Sequence, residues 1–537
     1  MPDPISLSLV SHTNAGKTTL ARTLLGREVG QVRDEAHVTD AAEAHVLVDS
    51  PAGDRLLLWD TPGFGDSQRL ARRLQAAGSP LGWLMTQVWD RWRDRPFWAS
   101  QQAIRHVMAQ TDVALYLVNA AEAPEDAAYV AAELQVLALL RKPVIVLLNQ
   151  LGAPGRPDDE ARQVQRWQDH LAGMAAMQVA LPLDAFARCW VQEAVLLQAV
   201  AAALPADRQT AMARLQASWA HQQRQTWQAA VAVLAGRLGR AALDREPLPA
   251  GRWAAPLRSL GQTLGQTLGQ ALGRQLGLAQ DAGPDGQAQA MAALADRLGP
   301  DIRRSTDALI ALHGLQGRAG GELSERLASY FARPAPVSEG RAALWGGMVT
   351  GALAGLKADL ASGGLTMGGG LLAGGLLGAL GAAGAVRGFN KIRGLDQPLL
   401  AWDAPVLQSL LQSTLLTYLA VAHHGRGRGE WRADEPPAAW TEAAAAVLAA
   451  QQAEWQALWA QRAAWLALPP PVASEQAGVA GTPPQGGCSA EAAPEFHAAL
   501  QRQMGAACSA LLARLYPEAA TLLGLSSWAA TALVAPP

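Results

Sequence analysis

The chain has 537 residues, a formal net charge of −2 and hydrophobic side chains at half of its positions. That length is too great for one ordinary core, the balanced charge excludes a global attraction to nucleic acid or anionic lipid, and scarce Phe and Tyr beside abundant Ala, Leu, Gly and Gln disfavour a β-rich architecture. Three cysteines without a CxxC pair, Cys189, Cys488 and Cys508, indicate neither a disulfide framework nor a zinc site and fit a reducing cytosol.

The opening segment carries no basic leader before its first apolar run, so the chain is expected to start on a buried strand. Residues 5–10, ISLSLV, read as that strand, residues 11–16 as a loop, and an amphipathic helix opens at Lys17. The loop and helix start, SHTNAGKT, match GxxxxGK[ST] except that Ser11 stands at the first glycine, where some backbone strain is expected. Backbone N–H groups from Asn14 through Ala15, Gly16, Lys17, Thr18 and Thr19 can then surround a phosphate, with the helix dipole behind them. Lys17 would neutralise the β- and γ-phosphates, and the Thr18 hydroxyl would ligate Mg²⁺. A strand follows at residues 44–48, with Thr39 before it as the natural first-switch threonine, against a plain loop threonine as the alternative. The apolar run RLLLWD then ends at Asp60 and continues Thr61-Pro62-Gly63, the DxxG spacing in which Asp60 would hold Mg²⁺ through water and the Gly63 N–H would bond a γ-phosphate.

The next stretch interleaves Trp83, Trp89, Trp92 and Trp98 with Arg91, Arg93 and Arg95, but Asp90 and Asp94 nearly cancel the charge. A Trp-bearing helix on a neighbouring core is favoured over a single-stranded RNA platform, and the stretch is placed to relay the switch to the C-terminal part. Further strands read at residues 112–120, 143–149 and 177–184, separated by helical segments. Strands alternating with helices call for a mainly parallel sheet covered on both faces, with ligand loops at the strand C-termini.

Residues 1 to about 190 resemble the Era-like branch of translation-factor-related GTPases, on SHTNAGKT for the phosphate loop and DTPG for the switch. The whole chain is similar to an uncharacterised proteobacterial family that joins such a domain to a helical C-terminal domain of unknown function. The resemblance implies a cytoplasmic GTPase using GTP, GDP and Mg²⁺, with Lys17, Thr39 and Gly63 in catalytic places and Thr18, Thr39 and Asp60 around the metal. Asn14 matches the asparagine that helps hold K⁺ in potassium-activated relatives, so slow hydrolysis stimulated by K⁺ is expected. Phe64 stands where Ras-like enzymes carry the glutamine that orients water. In relatives the strand-end asparagine is followed by Lys, any residue and Asp. Here Asn149 is followed by Gln150, Leu151 and Gly152, and the guanine-reading carboxylate is missing. Three readings follow: altered base specificity, including an ATPase of the same fold; a degenerate site; or a relocated carboxylate. For the last, Asp184 with Ala185 is the candidate, against a plain helix cap for the segment that follows it. Asp158 and Asp159 fit the start of the next helix.

From about residue 201 the periodicity is helical throughout, broken at residues 245–256, 281–286 and 333–340. Residues 260–277 repeat Leu and Gly every four positions. Residues 360–386 contain no charge and are long enough to cross a bilayer, though rich in glycine. Internal packing is favoured; the alternative is peripheral contact with the inner membrane by a dynamin-like or interaction protein in which nucleotide binding outweighs hydrolysis. His423, His424, Arg426 and Arg428 sit where cations complement a helix C-terminus. Leu448, Trp455, Trp459 and Leu466 fit one buried face of a single helix. The expected organisation is an α/β P-loop GTPase domain over residues 1–200, a mostly α-helical domain over 201–468, a linker over 469–492 and a helical tail over 493–537. A protein partner of unknown identity is expected, and nucleic acid is not.

Overall fold

The structure is a computed structural model, and it describes residues 3–12, 15–27, 43–65, 95–151, 157–174, 177–185, 189–247, 286–315, 389–392, 399–424, 437–466 and 493–530, apart from isolated positions. Asn14, Thr39, Gly152, Trp83, Trp89 and Trp92, the repeat at 260–277, the glycine-rich segment 360–386 and the linker lie outside the described residues.

Strands β1 (Ile5–Ser11), β2 (Glu43–Asp49), β3 (Arg55–Asp60), β4 (Val113–Asn119), β5 (Val144–Asn149) and β6 (Met177–Pro182) form one sheet in the order β2-β3-β1-β4-β5-β6. Only β2 runs antiparallel to its neighbour. Helices α1 (Lys17–Leu25), α2 (Arg95–Gln110), α3 (Ala128–Leu139), α4 (Pro157–Leu171) and α5 (Gln192–Ala203) connect or follow the strands.

The central strands are apolar on both faces, as a covered sheet requires, and their alternate residues divide between two cores. Leu7, Leu9, Leu115, Leu117, Ile145 and Leu147 belong to one. Val10, Ala114, Tyr116, Val118, Val146 and Leu148 belong to the other, together with Phe64, Ile104, Leu134 and Trp167. The first core does not stop at the sheet. It runs through Trp190, Leu197, Met212 and Trp219 into Trp227, Leu415, Trp455 and Leu511 of the C-terminal part, so one sheet face and the helical part share a single apolar interior.

Helix α6 (Ala206–Leu243) joins the two. Its 38 residues span roughly 57 Å at 1.5 Å per residue. Near its start Arg208 donates to the carbonyl oxygens of Asp3 and Pro4, and Trp219 donates to Glu193 of α5. Near its end Arg237 reaches Thr414, Arg240 pairs with Asp301, and Arg462 donates to the carbonyl of Ala242. The partners there are α7 (Gly286–Leu312), α8 (Ala404–Ala422), α9 (Ala438–Ala450), α10 (Gln452–Leu466) and α11 (Pro494–Leu515), followed by α12 (Pro517–Leu523) and α13 (Leu525–Ala530).

The C-terminal part is mostly helical, but not throughout. Strands β7 (Arg245–Pro247), β8 (Phe389–Ile392) and β9 (Leu399–Trp402) form an antiparallel sheet in the order β7-β9-β8, too short to show an alternation in sequence. Leu448, Trp455, Trp459 and Leu466 are all buried, yet on two helices, because the chain leaves the helix at Gln451. His423 does not act as a helix-end cation. Its Nδ1–H donates to the Leu419 carbonyl, its Nε2 accepts from the Tyr516 hydroxyl at 2.5 Å, and burial pushes its pKa down to about 4, so the ring is neutral. Among the described residues, α8 is the one helix long and apolar enough to cross a membrane, and 61% of its apolar window is buried, as in a core helix.

Candidate functional site

The C-terminal ends of β1, β3, β5 and the segment after β6 converge beside the start of α1. Ser11 is the last residue of β1 and has no positive φ, so the expected strain is absent: an extended position does not need glycine. Its hydroxyl instead accepts a bond from Lys17 Nζ at 3.0 Å and donates to the His12 carbonyl at 2.5 Å. Gly16 is the glycine this loop cannot lose. Its φ is +90°, and a Cβ there would stand 2.8 Å from Nδ2 of Asn149.

Lys17, Thr18 and Asp60 come together. The Thr18 hydroxyl donates to Asp60 Oδ2 at 2.5 Å, while Asp60 Oδ1 is buried without a hydrogen-bond partner among the described residues. Burial lowers the Lys17 pKa, against the raising influence of Asp60 and then Glu133. Burial likewise raises the pKa of Asp60, against Lys17 and the Thr18 hydrogen bond. A buried carboxylate with one orphaned oxygen, beside a hydroxyl and short of positive charge, is a donor set that fits a hard cation such as Mg²⁺.

The segment after Asp60 is stitched to β1. The Thr61 hydroxyl donates to the Leu9 carbonyl at 2.6 Å, and the Phe64 N–H to the Ser11 carbonyl at 2.8 Å. The Phe64 ring is 1% exposed in the second core, and the Gly65 N–H bonds the Ser100 hydroxyl of α2.

Asn149 joins two loops through one amide. Its Nδ2 donates to the Ala15 carbonyl at 2.8 Å, and its Oδ1 accepts from the Ala185 N–H at 2.8 Å. Gln150 follows with φ +60°, a left-handed conformation for a residue with a side chain. Asp184 is buried and its Oδ2 accepts from the Leu151 N–H at 2.7 Å. Among the described residues, the helix that follows it, α5, begins at Gln192. A carboxylate therefore sits against the loop that lacks one at Gly152.

Sequence reasoning missed a cluster behind the phosphate loop. Glu133 of α3 accepts from His12 Nδ1 at 2.8 Å and from the Tyr116 hydroxyl at 2.7 Å, and His12 lies 4.6 Å, ring centre to ring centre, from Tyr129. The available signal was Glu133 itself, the lone charge in AYVAAELQVLAL.

Residues 6–150 match the family model described as 50S ribosome-binding GTPase. The N-terminal part is a GTP-binding P-loop GTPase domain. Residues 335–479 match a domain of unknown function, whose described portion here includes β8, β9, α8, α9 and α10. Among solved structures, the chain is similar to an Era variant from Aquifex aeolicus bound to GDP and AlF4⁻, at 19% identity and a TM-score of 0.29. It is also similar to Era in complex with MgGDPNP and a 16S ribosomal RNA fragment, at 19% identity and a TM-score of 0.28. Each match covers 38% of this chain and 57% of the other, and scores this low have no bearing on function.

Proposed function

We propose that the protein is a slow GTP-hydrolysing switch whose GTPase domain reports its nucleotide state to the helical part. The observation that carries the slow rate is Phe64. A buried, apolar ring whose backbone is tied to Ser11 has no group to orient an attacking water, so hydrolysis of the β–γ bond relies on positioning and charge alone. Lys17 supplies positive charge to the phosphates, and Thr18 and Asp60 would hold Mg²⁺, which when bound neutralises charge on the β- and γ-oxygens. Thr39 and Gly63 are assigned the γ-phosphate contacts. Asn149 holds the phosphate loop to the base side. Asp184 is assigned as the substitute for the missing carboxylate; its hydrogen bond from the Leu151 N–H, which holds it against the base loop, supports the assignment. The shared apolar interior supports the coupling, because the helical part covers a face of the same sheet that carries the site.

Single-turnover hydrolysis of GTP by the full chain tests the rate, run in K⁺ and again in Na⁺. Slow turnover faster in K⁺ is expected, with Asn14 as the residue assigned to potassium; equal rates in the two salts remove the potassium assignment. Competition between GTP and ATP on wild type and Asp184→Ala tests the base assignment. Loss of guanine preference in the variant is expected, and unchanged selectivity contradicts it.

A further inference from the structure

We propose that the β2–β3 hairpin and α6 form a lever that carries movement at Thr18 and Asp60 to the helical part, with the Asp54–Arg214 pair as its latch. This rests on the switch function proposed above and gives that coupling a route.

The hairpin spans from the site to the far end of the sheet. Glu43 stands opposite Asp60 at one end, and Asp49 opposite Arg55 at the other, so a ribbon of about 20 Å joins Asp60 to the turn at Ser50–Asp54. That turn is closed tightly. The Ser50 N–H donates to the Asp54 carbonyl at 2.9 Å, the Ser50 hydroxyl to Asp54 Oδ2 at 2.6 Å, and Gly53 takes φ +86°. Arg214 of α6 grips the same carboxylate with both arms of its guanidinium, Nε to Oδ2 at 2.6 Å and Nη2 to Oδ1 at 2.8 Å. The bidentate pair fixes orientation as well as distance, and Asp54 is only 3% exposed.

The movement has a source in the site. A hydroxyl and a carboxylate oxygen 2.5 Å apart cannot keep that bond and admit a divalent cation, since Mg²⁺ would sit about 2.0 to 2.1 Å from the Thr18 hydroxyl and a water would stand between it and Asp60. Opening the Thr18–Asp60 contact displaces the end of β3 relative to α1, and β2 moves with β3 through their paired backbones. At the receiving end, α6 is held in the helical part by Arg237 to Thr414, Arg240 to Asp301 and Arg462 to the Ala242 carbonyl. Arg208, six residues before Arg214, ties the start of α6 to Asp3, Pro4 and Asp112 on the parallel part of the sheet. The helix is thus pinned at one point and pulled at another, which turns a shift of the hairpin into a tilt of the far half of α6.

Hydrogen–deuterium exchange on the full chain, with and without Mg²⁺ and a non-hydrolysable GTP analogue, tests the lever. In wild type, exchange is expected to change both over the hairpin, residues 43–60, and over residues 227–243 of α6, the latter by about fivefold or more. In Arg214→Ala the analogue still binds and the hairpin still responds, but the response over 227–243 is lost. Arg214→Lys, which keeps the charge without the two-armed grip, is expected to behave like Arg214→Ala. An unchanged α6 response in both variants, or a wild-type response confined to the hairpin, overturns the lever while leaving the switch in place. Absence of analogue binding to wild type overturns the switch itself, and the lever with it.

Discussion

Lys17 in the GTPase part and Arg237 in the helical part are both buried cations, and the two are handled in opposite ways. Lys17 lies among Asp60, Glu133 and the Ser11 hydroxyl, beside a carboxylate oxygen that has no partner of its own. Arg237 lies wholly inside the helical part and hydrogen-bonds only hydroxyls among the described residues, Thr414 at 2.5 Å and Ser305 at 3.5 Å; its Nε has no hydrogen-bond partner among them, and burial pushes its pKa down to about 10 against the raising influence of Asp301, whose carboxylate is paired with Arg240. The first arrangement sets a buried ammonium, bonded among the described residues only to a hydroxyl, near a carboxylate with one orphaned oxygen, and an anionic nucleotide with its cation would complete it. The second has nothing to complete it and simply costs stability. Burial alone therefore does not mark a functional charge; an adjacent orphaned counter-group does.

The comparison can be broken most severely at Lys17. Lys17→Ala is expected to weaken nucleotide binding at least about a hundredfold, the loss of charge-assisted bonds to phosphate, with little change in the melting temperature of the empty protein. Titration calorimetry with differential scanning fluorimetry reads both. Arg237→Met should do the reverse: nucleotide affinity unchanged, and stability equal to or above wild type by about 1 to 4 kcal/mol, because an apolar side chain of similar length removes a buried charge that is hydrogen-bonded to no counter-ion among the described residues. Strong destabilisation by Arg237→Met would show that the two cations do not differ as described.

Asp60 sharpens the same contrast. Its folded pKa is raised by burial, so its contribution to the stability of the empty protein is greatest below the unfolded carboxylate pKa and is lost as pH rises through the folded value. Asp60→Asn is therefore expected to raise the melting temperature of the empty protein by about 2 °C at neutral pH while abolishing the Mg²⁺ dependence of binding. His423 supplies a control far from the site. With a folded pKa near 4 against 6.5, the unfolded state takes up the proton first, and stability falls by up to about 3 kcal/mol as pH drops across that window. Urea melts of wild type and His423→Phe should diverge there and nowhere above pH 7. Ser11→Gly restores the motif glycine but removes no backbone strain and takes away the hydroxyl that accepts from Lys17, so it should lower stability by about 1 to 2 kcal/mol.

The sequence made the GTPase part legible because its signals are local. The strand ending at Asp60, the run ending at Asn149 and the loop before Lys17 each place chemistry at a strand terminus, and the continuous apolar runs of Val113–Asn119 and Val144–Asn149 mark strands covered on both faces. The helical part was legible only in its periodicity. Three- and four-residue strands such as Arg245–Pro247 and Leu399–Trp402 carry no pattern of their own, and the break at Gln451 has neither Gly nor Pro to announce it. The pairs that determine the site and its connections are non-local: Asp184 finds Leu151 across 33 positions, His12 finds Glu133 across 121, and Asp54 finds Arg214 across 160. Ser11 shows the converse error, a departure from the motif that looked strained and is a hydrogen-bonded strand residue.

The central claim is that Lys17, Thr18 and Asp60 form a working nucleotide site despite the altered base loop. Calorimetric titration of the full chain with GTP, with and without Mg²⁺, tests it most directly. Saturable binding that strengthens with Mg²⁺ and disappears in Lys17→Ala is the predicted result. Absence of binding, or binding indifferent to both Mg²⁺ and Lys17, would contradict it.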